Sequence, residues 1–325
     1  TFKPMPSNSL GVISQGPPVD VVRHQRGLSL TSPAASLYVT EKEEETPYNV
    51  SGQVVPRTQL TCWNAAMFLF HSGLLFITLY LGNRDLTVPI YRTELLFRTI
   101  NVTNSSIRPW ELVPTYSEAG SLPFTWLTAS FFFLSALFHL LNATFLRSYY
   151  LSELEQCCSP TRYLEYTFSA AVMIILIAYT LGVRERMLLI ASAVLIGITM
   201  PFGYWCEQLA RPAGPDTWVK PFKHRIFPWV VGHIPQVTAW AIIIVNFYDE
   251  DEGRAPDFVH GILWGELALF FSFGFVALYQ QYTVPKNFYK GELMFQVLSL
   301  GSKGLLGGIL IANVLMLSAF EELYD

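Results

Sequence analysis

A single lysine stands in the middle of an apolar and small-residue segment near the end of the chain. The segment Gln296–Leu317 reads QVLSLGSKGLLGGILIANVLML, and Lys303 is its only charged residue. An ionised lysine at mid-bilayer depth costs about 2.5–3.5 kcal/mol on insertion scales, so such a residue normally has a partner or a chemical role. Two chemical roles are compatible with a lysine at this depth. The ammonium could pair with a carboxylate on another helix, or the neutral amine could form an imine with an aldehyde cofactor.

Glu165 is the carboxylate that we expect to lie opposite Lys303. It belongs to the segment SPTRYLEYTFSAAVMIILIAYTLG, whose proline suits the first turn of a helix. Arg162, Glu165 and Ser169 are spaced by three and four residues and therefore share one helix face. Helical side chains lean toward the N-terminus of their own helix, so we expect Lys303 to reach back toward Ser299 and the level of Glu165. This geometry requires that both helices start on the same side of the membrane.

The composition of the chain predicts an integral membrane protein. Of the 325 residues, 51% are hydrophobic and only 14% are charged, whereas soluble domains carry about a quarter charged residues. The net charge of −4 gives no reason to expect a nucleic-acid partner, and the four cysteines do not form a metal-binding spacing. An all-α bundle is expected, because a helix satisfies its own backbone hydrogen bonds in lipid. The seven apolar segments of spanning length are Leu60–Leu81, Leu122–Leu146, Tyr163–Leu181, Met187–Cys206, Ile226–Phe247, Phe258–Tyr282 and Glu292–Phe320.

The domain organisation predicted from the sequence is a tail followed by one membrane domain. Residues 1–58 are rich in Ser, Pro and Thr, contain the run EKEEE and lack a sustained apolar period, which predicts a disordered tail. Residues 59–325 then form the seven-helix domain. The connection 82–121 is much longer than usual. Its stretch DLTVPIYRTELLFRTINVT alternates and is rich in β-branched residues, which predicts a β-hairpin on the membrane surface.

The orientation in the membrane follows from that loop and from charge. Asn101 and Asn104 begin glycosylation-acceptor patterns and favour an extracellular location for the hairpin. The lysines and arginines of the short loops are only weakly biased toward the other side. We therefore predict a cytoplasmic N-terminus and an extracellular C-terminus.

The arrangement of these residues resembles the microbial rhodopsins, and in detail it is similar to the heliorhodopsin family. The sequence RYLEY that starts at Arg162 matches an Arg-aromatic-x-Glu-Tyr pattern of that family, and Ser299 lies four residues before Lys303. The family also has a membrane histidine in each of the first two helices, matched here by His71 and His139. A long first extracellular loop and an inverted orientation, with the N-terminus inside, are further family features.

The resemblance covers roughly residues 60–320 and implies a cofactor together with roles for particular residues. All-trans retinal would be bound covalently to Lys303 as a protonated Schiff base, with Glu165 as its counterion and Ser299 hydrogen-bonded near the nitrogen. A homodimer without enzymatic activity is also implied. The proton-handling cluster would contain His71, His139, Arg162 and Tyr166. The remaining candidates for the retinal pocket are Ser169, Met173, Met200, Trp264, Phe270 and Phe271.

The same resemblance argues against an active ion pump. Outward-directed proton pumps of the related branch use a carboxylate four residues before the lysine, where this chain has Ser299. They also use a donor carboxylate three turns beyond the counterion, where this chain has Leu176 inside the apolar run Val172–Ile177. A photosensory or signalling role is therefore the first prediction.

Two alternatives remain open from the sequence. Glu207 and Glu266 lie in apolar segments and could line a path for passive, light-gated proton conduction. In the other alternative, the protein is a chromophore-free seven-helix receptor or carrier, in which Lys303 is merely paired with Glu165.

Overall fold

The structure is a computed structural model that describes residues 55–99, 110–211, 220–250 and 253–317. Residues 1–54 of the predicted tail, the acceptor asparagines Asn101 and Asn104, and the C-terminal residues 318–325 lie outside the described residues. The first helix begins at Arg57, close to the predicted start of the membrane domain.

Seven helices of the described part are long and apolar enough to cross a bilayer, which confirms the predicted seven-helix membrane bundle. Each spanning helix packs against its neighbour around a closed ring, and the last span packs against the first. The last span begins at Phe288, four residues before its predicted start at Glu292, so that Lys290 and Glu292 lie within its first turns. The spans are α1 (Arg57–Leu81), α2 (Phe124–Ala143), α4 (Pro160–Thr180), α5 (Arg186–Ala210), α6 (Phe222–Glu250), α7 (Asp257–Thr283) and α8 (Phe288–Leu310), and α8 continues as a π-helical turn, Ile311–Leu315.

The long connection between the first two spans forms the predicted β-hairpin. Strands β1 (Thr87–Thr99) and β2 (Trp110–Pro123) pair antiparallel, and the register shifts after Ile90. Ile90 pairs with Gly120, whose φ of +124° is a conformation that side-chain-bearing residues rarely adopt. Val88 is fully buried at the base of the hairpin. The hairpin is therefore anchored on the end of the bundle where α1 ends and α2 begins.

A short helix that the sequence analysis did not predict closes the opposite end of the bundle. This helix, α3 (Arg147–Glu155), buries Tyr150 and Leu154 against Leu60 of α1 and Phe288 of α8. With only nine residues and polar side chains at most exposed positions, it has too little apolar periodicity to be recognised. The space between the spans is therefore covered at this end.

The crossing of α8 and α2 depends on a glycine. A Cβ on Gly307 would lie 2.3 Å from Cζ of Phe132, a ring that is fully buried. Overpacking of this kind costs about 1–3 kcal/mol, so we expect Gly307→Ala to lower the thermal midpoint of the purified protein. Gly308→Ala is the matched control, because a Cβ there meets nothing within 4 Å. Equal midpoints for the two variants would contradict the tight crossing.

Candidate functional site

The structure brings Lys303 and Glu165 into direct contact inside the bundle. The Lys303 Nζ donates to Glu165 Oε1 at 2.7 Å and to Ser299 Oγ at 2.9 Å. The two charged side chains are 3% and 5% exposed. The ring of Tyr166 lies beside the pair, with its centroid 5.1 Å from Nζ. A buried ion pair of this kind holds a positive charge at a fixed point in a low-dielectric environment.

Ser135 is a partner of Glu165 that the sequence analysis missed. Its hydroxyl donates to Glu165 Oε1 at 2.6 Å, the same oxygen that accepts from Lys303. Ser135 and His139 are four residues apart on α2 and therefore share a face. A polar pair on one face of an otherwise apolar helix was the signal that could have identified this serine.

The two histidines of the expected proton-handling cluster lie together inside the bundle. Their rings are stacked with centroids 5.4 Å apart. The Nδ1 of His71 is 2.9 Å from the carbonyl oxygen of Met67, and the Nδ1 of His139 is 2.9 Å from Oδ1 of Asn64. The Nε2 of His71 is buried without a partner among the described atoms. It is a free position at which a proton or a hydrogen-bonding group can be received.

Arg162 is not part of this histidine pair but forms a separate ion cluster. Its guanidinium contacts Glu292 through Nη1 and Glu207 through Nη2, and all three side chains are at most 4% exposed. Glu207 also accepts from the Ser159 N–H at 2.8 Å and from the Tyr163 hydroxyl at 2.9 Å. Glu207 is therefore held in ion pairs and does not line an open path in this structure.

Glu292, which the sequence analysis did not select, completes this ion cluster. Its Oε1 accepts from the hydroxyl of Tyr150 at 3.1 Å and from that of Ser159 at 3.3 Å. Burial, followed by the nearby Glu292, raises the pKa of Tyr150 well above its usual value, so this phenol stays neutral and available as a donor. We call the set Arg162, Glu207, Glu292 and their hydroxyl partners Tyr150, Ser159 and Tyr163 the arginine cluster.

Glu266 is a further buried carboxyl group close to the ion pair. It is fully buried and accepts from the Ser302 hydroxyl through Oε2 at 2.6 Å, while Oε1 has no partner among the described atoms. Because Ser302 precedes Lys303, this carboxyl group is close to the ion pair along α8.

A large cavity opens from Lys303 between α4, α5, α6, α7 and α8. It encloses about 870 Å³ of empty space, part of it open to the surroundings. The residues chosen from the sequence that line it are Arg162, Tyr166, Ser169, Met173, Met200, Phe270, Ser299 and Lys303.

Two of the residues chosen for the pocket lie elsewhere. Trp264 is 53% exposed on the outer surface of α7, and Phe271 packs against the hydrophobic core outside the cavity lining. The lining of the far wall on α6 was missed, and it includes Trp229, His233 and Gln236. Aromatic and polar residues occur on every face of α6, so the sequence alone did not distinguish the inward face.

Comparisons with known proteins agree with the fold. The crystal structure of the transmembrane domain of Salpingoeca rosetta rhodopsin phosphodiesterase superposes with a TM-score of 0.53 and 12% sequence identity, covering 78% of this chain and 84% of that one. At this identity the similarity establishes the fold alone. No curated protein matches the chain. The sequence profile of the heliorhodopsin family matches residues 60–315, and the chain therefore belongs to the heliorhodopsin family.

Proposed function

We propose that this protein is a photosensory receptor in which retinal is covalently bound to Lys303 and Glu165 is the counterion. Membership of the heliorhodopsin family makes it a retinal photoreceptor-type membrane protein. The observation that supports the finer assignment is the position of Nζ, which lies in the cavity lining and 2.7 Å from a buried carboxylate.

The residues present fit a long apolar aldehyde. The cavity is lined mainly by aromatic and aliphatic side chains, with Lys303 as its amine. Arg162 also lines it, but that guanidinium is paired with two carboxyl groups. Ser169 faces the cavity with a buried hydroxyl that has no partner among the described atoms. A Cβ on Gly232 would lie 2.8 Å from Cβ of Phe202, so glycine is required where α6 meets α5 in the lining.

The side chains around Nζ balance its positive charge, fix its position and can receive a proton. Retinal held there by Lys303 would supply the absorption of visible light and a light-driven displacement of positive charge. Glu165 balances this charge, and Ser135 and Ser299 fix the positions of the carboxylate and the nitrogen. The free Nε2 of His71, near the middle of α1, can receive a proton.

Reconstitution with retinal tests this assignment directly. Purified protein mixed with all-trans retinal acquires a visible absorption band, and borohydride reduction attaches the pigment permanently to the peptide that contains Lys303. Peptide mass spectrometry identifies the modified residue independently of any light response. A colourless mixture with an unmodified Lys303 would favour the chromophore-free receptor or carrier.

Signalling is preferred to pumping because the hairpin side of Lys303 offers few groups that could relay a proton. Ser299 stands where the related pumps have a second carboxylate, and Leu176 is fully buried in an apolar core with Ile174 and Ile177. Light energy is then used to rearrange the helices around a displaced charge.

Passive proton conduction is the second candidate because of Glu266. This carboxyl group accepts a hydrogen bond from Ser302, the residue before Lys303, whereas the arginine cluster reaches α8 through Glu292 near its start. Titratable groups therefore lie near Lys303 on α7 and near the start of α8, although no continuous hydrogen-bonded path joins them within the part of the chain that the structure describes.

Currents under voltage clamp distinguish the two candidates. For a photosensory receptor we expect illumination of expressing cells to produce no sustained current, because the apolar core around Leu176 interrupts a proton path. Conduction predicts instead a current that follows the proton gradient and falls in Glu266→Gln or Glu207→Gln. The visible band of the same cells shows that pigmented protein is present. An absence of current in those cells then argues against conduction.

We further propose a cytoplasmic N-terminus, an extracellular hairpin and a homodimer. Arg57, Arg147 and Lys220 lie at the end of the bundle that α3 closes, in keeping with that end facing the cytoplasm. Protection of an N-terminal tag from protease added to intact cells tests the orientation. The mass of the detergent-solubilised protein tests the dimer.

A further inference from the structure

We propose that a groove on the outer surface of the bundle, at the end that α3 closes, binds a phospholipid with an anionic headgroup. One acyl chain lies in the groove, and two lysines at its mouth bind the phosphate. None of the residues that line the groove lines the cavity at Lys303, so the site is separate from the proposed retinal pocket and does not depend on retinal.

The groove is lined by three spanning helices, α1, α7 and α8. It encloses about 950 Å³ of space, part of it open to the surroundings. The first span packs mainly against α2 and only lightly against α8, which leaves this space between α1 and α7. Apart from Gln59 on α1 and Ser272 on α7, the lining is apolar. The hydroxyl of Ser272 is already bonded to the carbonyl oxygen of Ala268, so the deep part of the groove offers no free polar group.

The depth of the groove matches one leaflet of a bilayer. Trp63 is six residues from the start of α1 and Val297 is nine residues from the start of α8, which places them about 9 and 14 Å along their helices. Ser272 is eleven residues before the end of α7, about 16 Å. These three helix ends lie together, because residues from each belong to one buried cluster. A leaflet contributes about 15 Å of hydrocarbon, so the groove accommodates one acyl chain.

The shape of the groove distinguishes it from the rest of the lipid-facing surface. Phe275, Met294 and Val297 are all exposed, but exposed apolar side chains occur on every span and do not by themselves identify a site. In this groove a single chain contacts three helices at once. Because dispersion attraction adds up over all contacting atoms, a chain is held more strongly here than on a convex helix surface.

Two lysines stand at the mouth of the groove. Lys290 precedes Met294 by four residues and Val297 by seven, so the three side chains share one face of α8. Basic side chains near the end of a spanning helix extend toward the membrane surface, and helical side chains lean toward the helix start. The ammonium of Lys290 therefore lies at headgroup level, above the apolar lining. Lys286 lies in the turn just before α8 and is also exposed.

Charge complementarity identifies the headgroup as anionic. Neither Lys286 nor Lys290 forms an ion pair with another described residue. No residue of the groove lining is acidic, and the amide of Gln59 adds a donor near the start of α1. A phosphate whose charge is not cancelled by a choline suits this set of donors. Anionic lipids are enriched in the cytoplasmic leaflet, which is the leaflet that the proposed orientation places at this end.

One layer of side chains separates the groove from the cavity at Lys303. Val276 lines the groove and belongs to a small buried cluster with Tyr166 and Phe295, both of which line the cavity. Leu298, also in the groove lining, packs against the same cluster. A lipid in the groove therefore supports the wall beside the ion pair from outside.

Native mass spectrometry tests the headgroup preference. The full chain is released from nanodiscs that contain equal amounts of phosphatidylglycerol and phosphatidylcholine with identical acyl chains. We expect the retained lipid to be mainly phosphatidylglycerol, and its excess to fall about fivefold in Lys286→Gln and in Lys290→Gln. Lys223→Gln is the matched control, because Lys223 is exposed at the start of α6, away from the groove. An equal fall in this control, or no excess in the unaltered chain, overturns the proposal.

A variant that fills the groove tests the place of the acyl chain. Val297→Trp puts an indole into the lining, so we expect it to lose most of the retained lipid of both headgroups. Val237→Trp is the control, because Val237 is 50% exposed on α6 and Val297 is 51% exposed. Equal thermal midpoints show that both variants are folded. Undiminished lipid in Val297→Trp places the lipid elsewhere, and a dimer lost only in that variant assigns the groove to a second copy; either result refutes the lipid site.

Discussion

Lys303→Ala is expected to abolish the visible absorption of the protein completely. An alanine methyl group cannot form a covalent bond with an aldehyde, and the cavity would keep its apolar lining but lose its amine. The measurement is the absorption spectrum after expression with retinal and purification, normalised to protein. The loss is total and not graded, because covalent attachment requires one amine at one position.

Two controls make this result specific. Lys303→Arg retains the positive charge beside Glu165 but has no nucleophilic amine at neutral pH, so it is also expected to be colourless while remaining folded. Lys290→Ala removes a lysine from the start of α8 outside the cavity lining and should leave the band intact. A visible band in Lys303→Ala would show that the pigment is attached elsewhere.

Glu165→Gln is expected to produce the second-largest effect, a loss of the visible band at neutral pH in favour of a near-ultraviolet one. The positive charge at Nζ is 2.7 Å from the carboxylate, a separation worth about 6 kcal/mol at an effective dielectric constant of about 20. Removal of one partner of a buried ion pair costs about 3–5 kcal/mol in practice, which is on the order of a hundred- to several-thousand-fold in the population of the charged form.

A titration of the spectrum distinguishes loss of charge from loss of folding. Acidification of Glu165→Gln should restore the visible band, because protons in solution then replace the missing stabilisation. Ser135→Ala keeps the carboxylate and removes only a 2.6 Å hydrogen bond to it, so its band should shift in wavelength but persist at neutral pH. An unchanged spectrum in Glu165→Gln would mean that another group balances the charge.

The sequence by itself determined the membrane class, the seven spans and the central ion pair. A spanning helix satisfies its backbone hydrogen bonds within one segment and must match the thickness of the bilayer. Both requirements therefore depend only on the local sequence. Lys303 and Glu165 could be paired because a charge within an apolar segment is conspicuous and its depth follows from counting residues. The hairpin was also recognisable, since its alternation is local.

Only the tertiary structure decided which faces of the helices meet. Lipid is as apolar as a protein core, so a span can be apolar on every side and its inward face is not marked by a polar stripe. This explains why Trp264 was placed in the pocket although it lies on the outer surface. It also explains why the ion pairs of Arg162 with Glu207 and Glu292, on three different helices, were not foreseen. Such contacts depend on the packing of segments distant in sequence, and no local pattern encodes them.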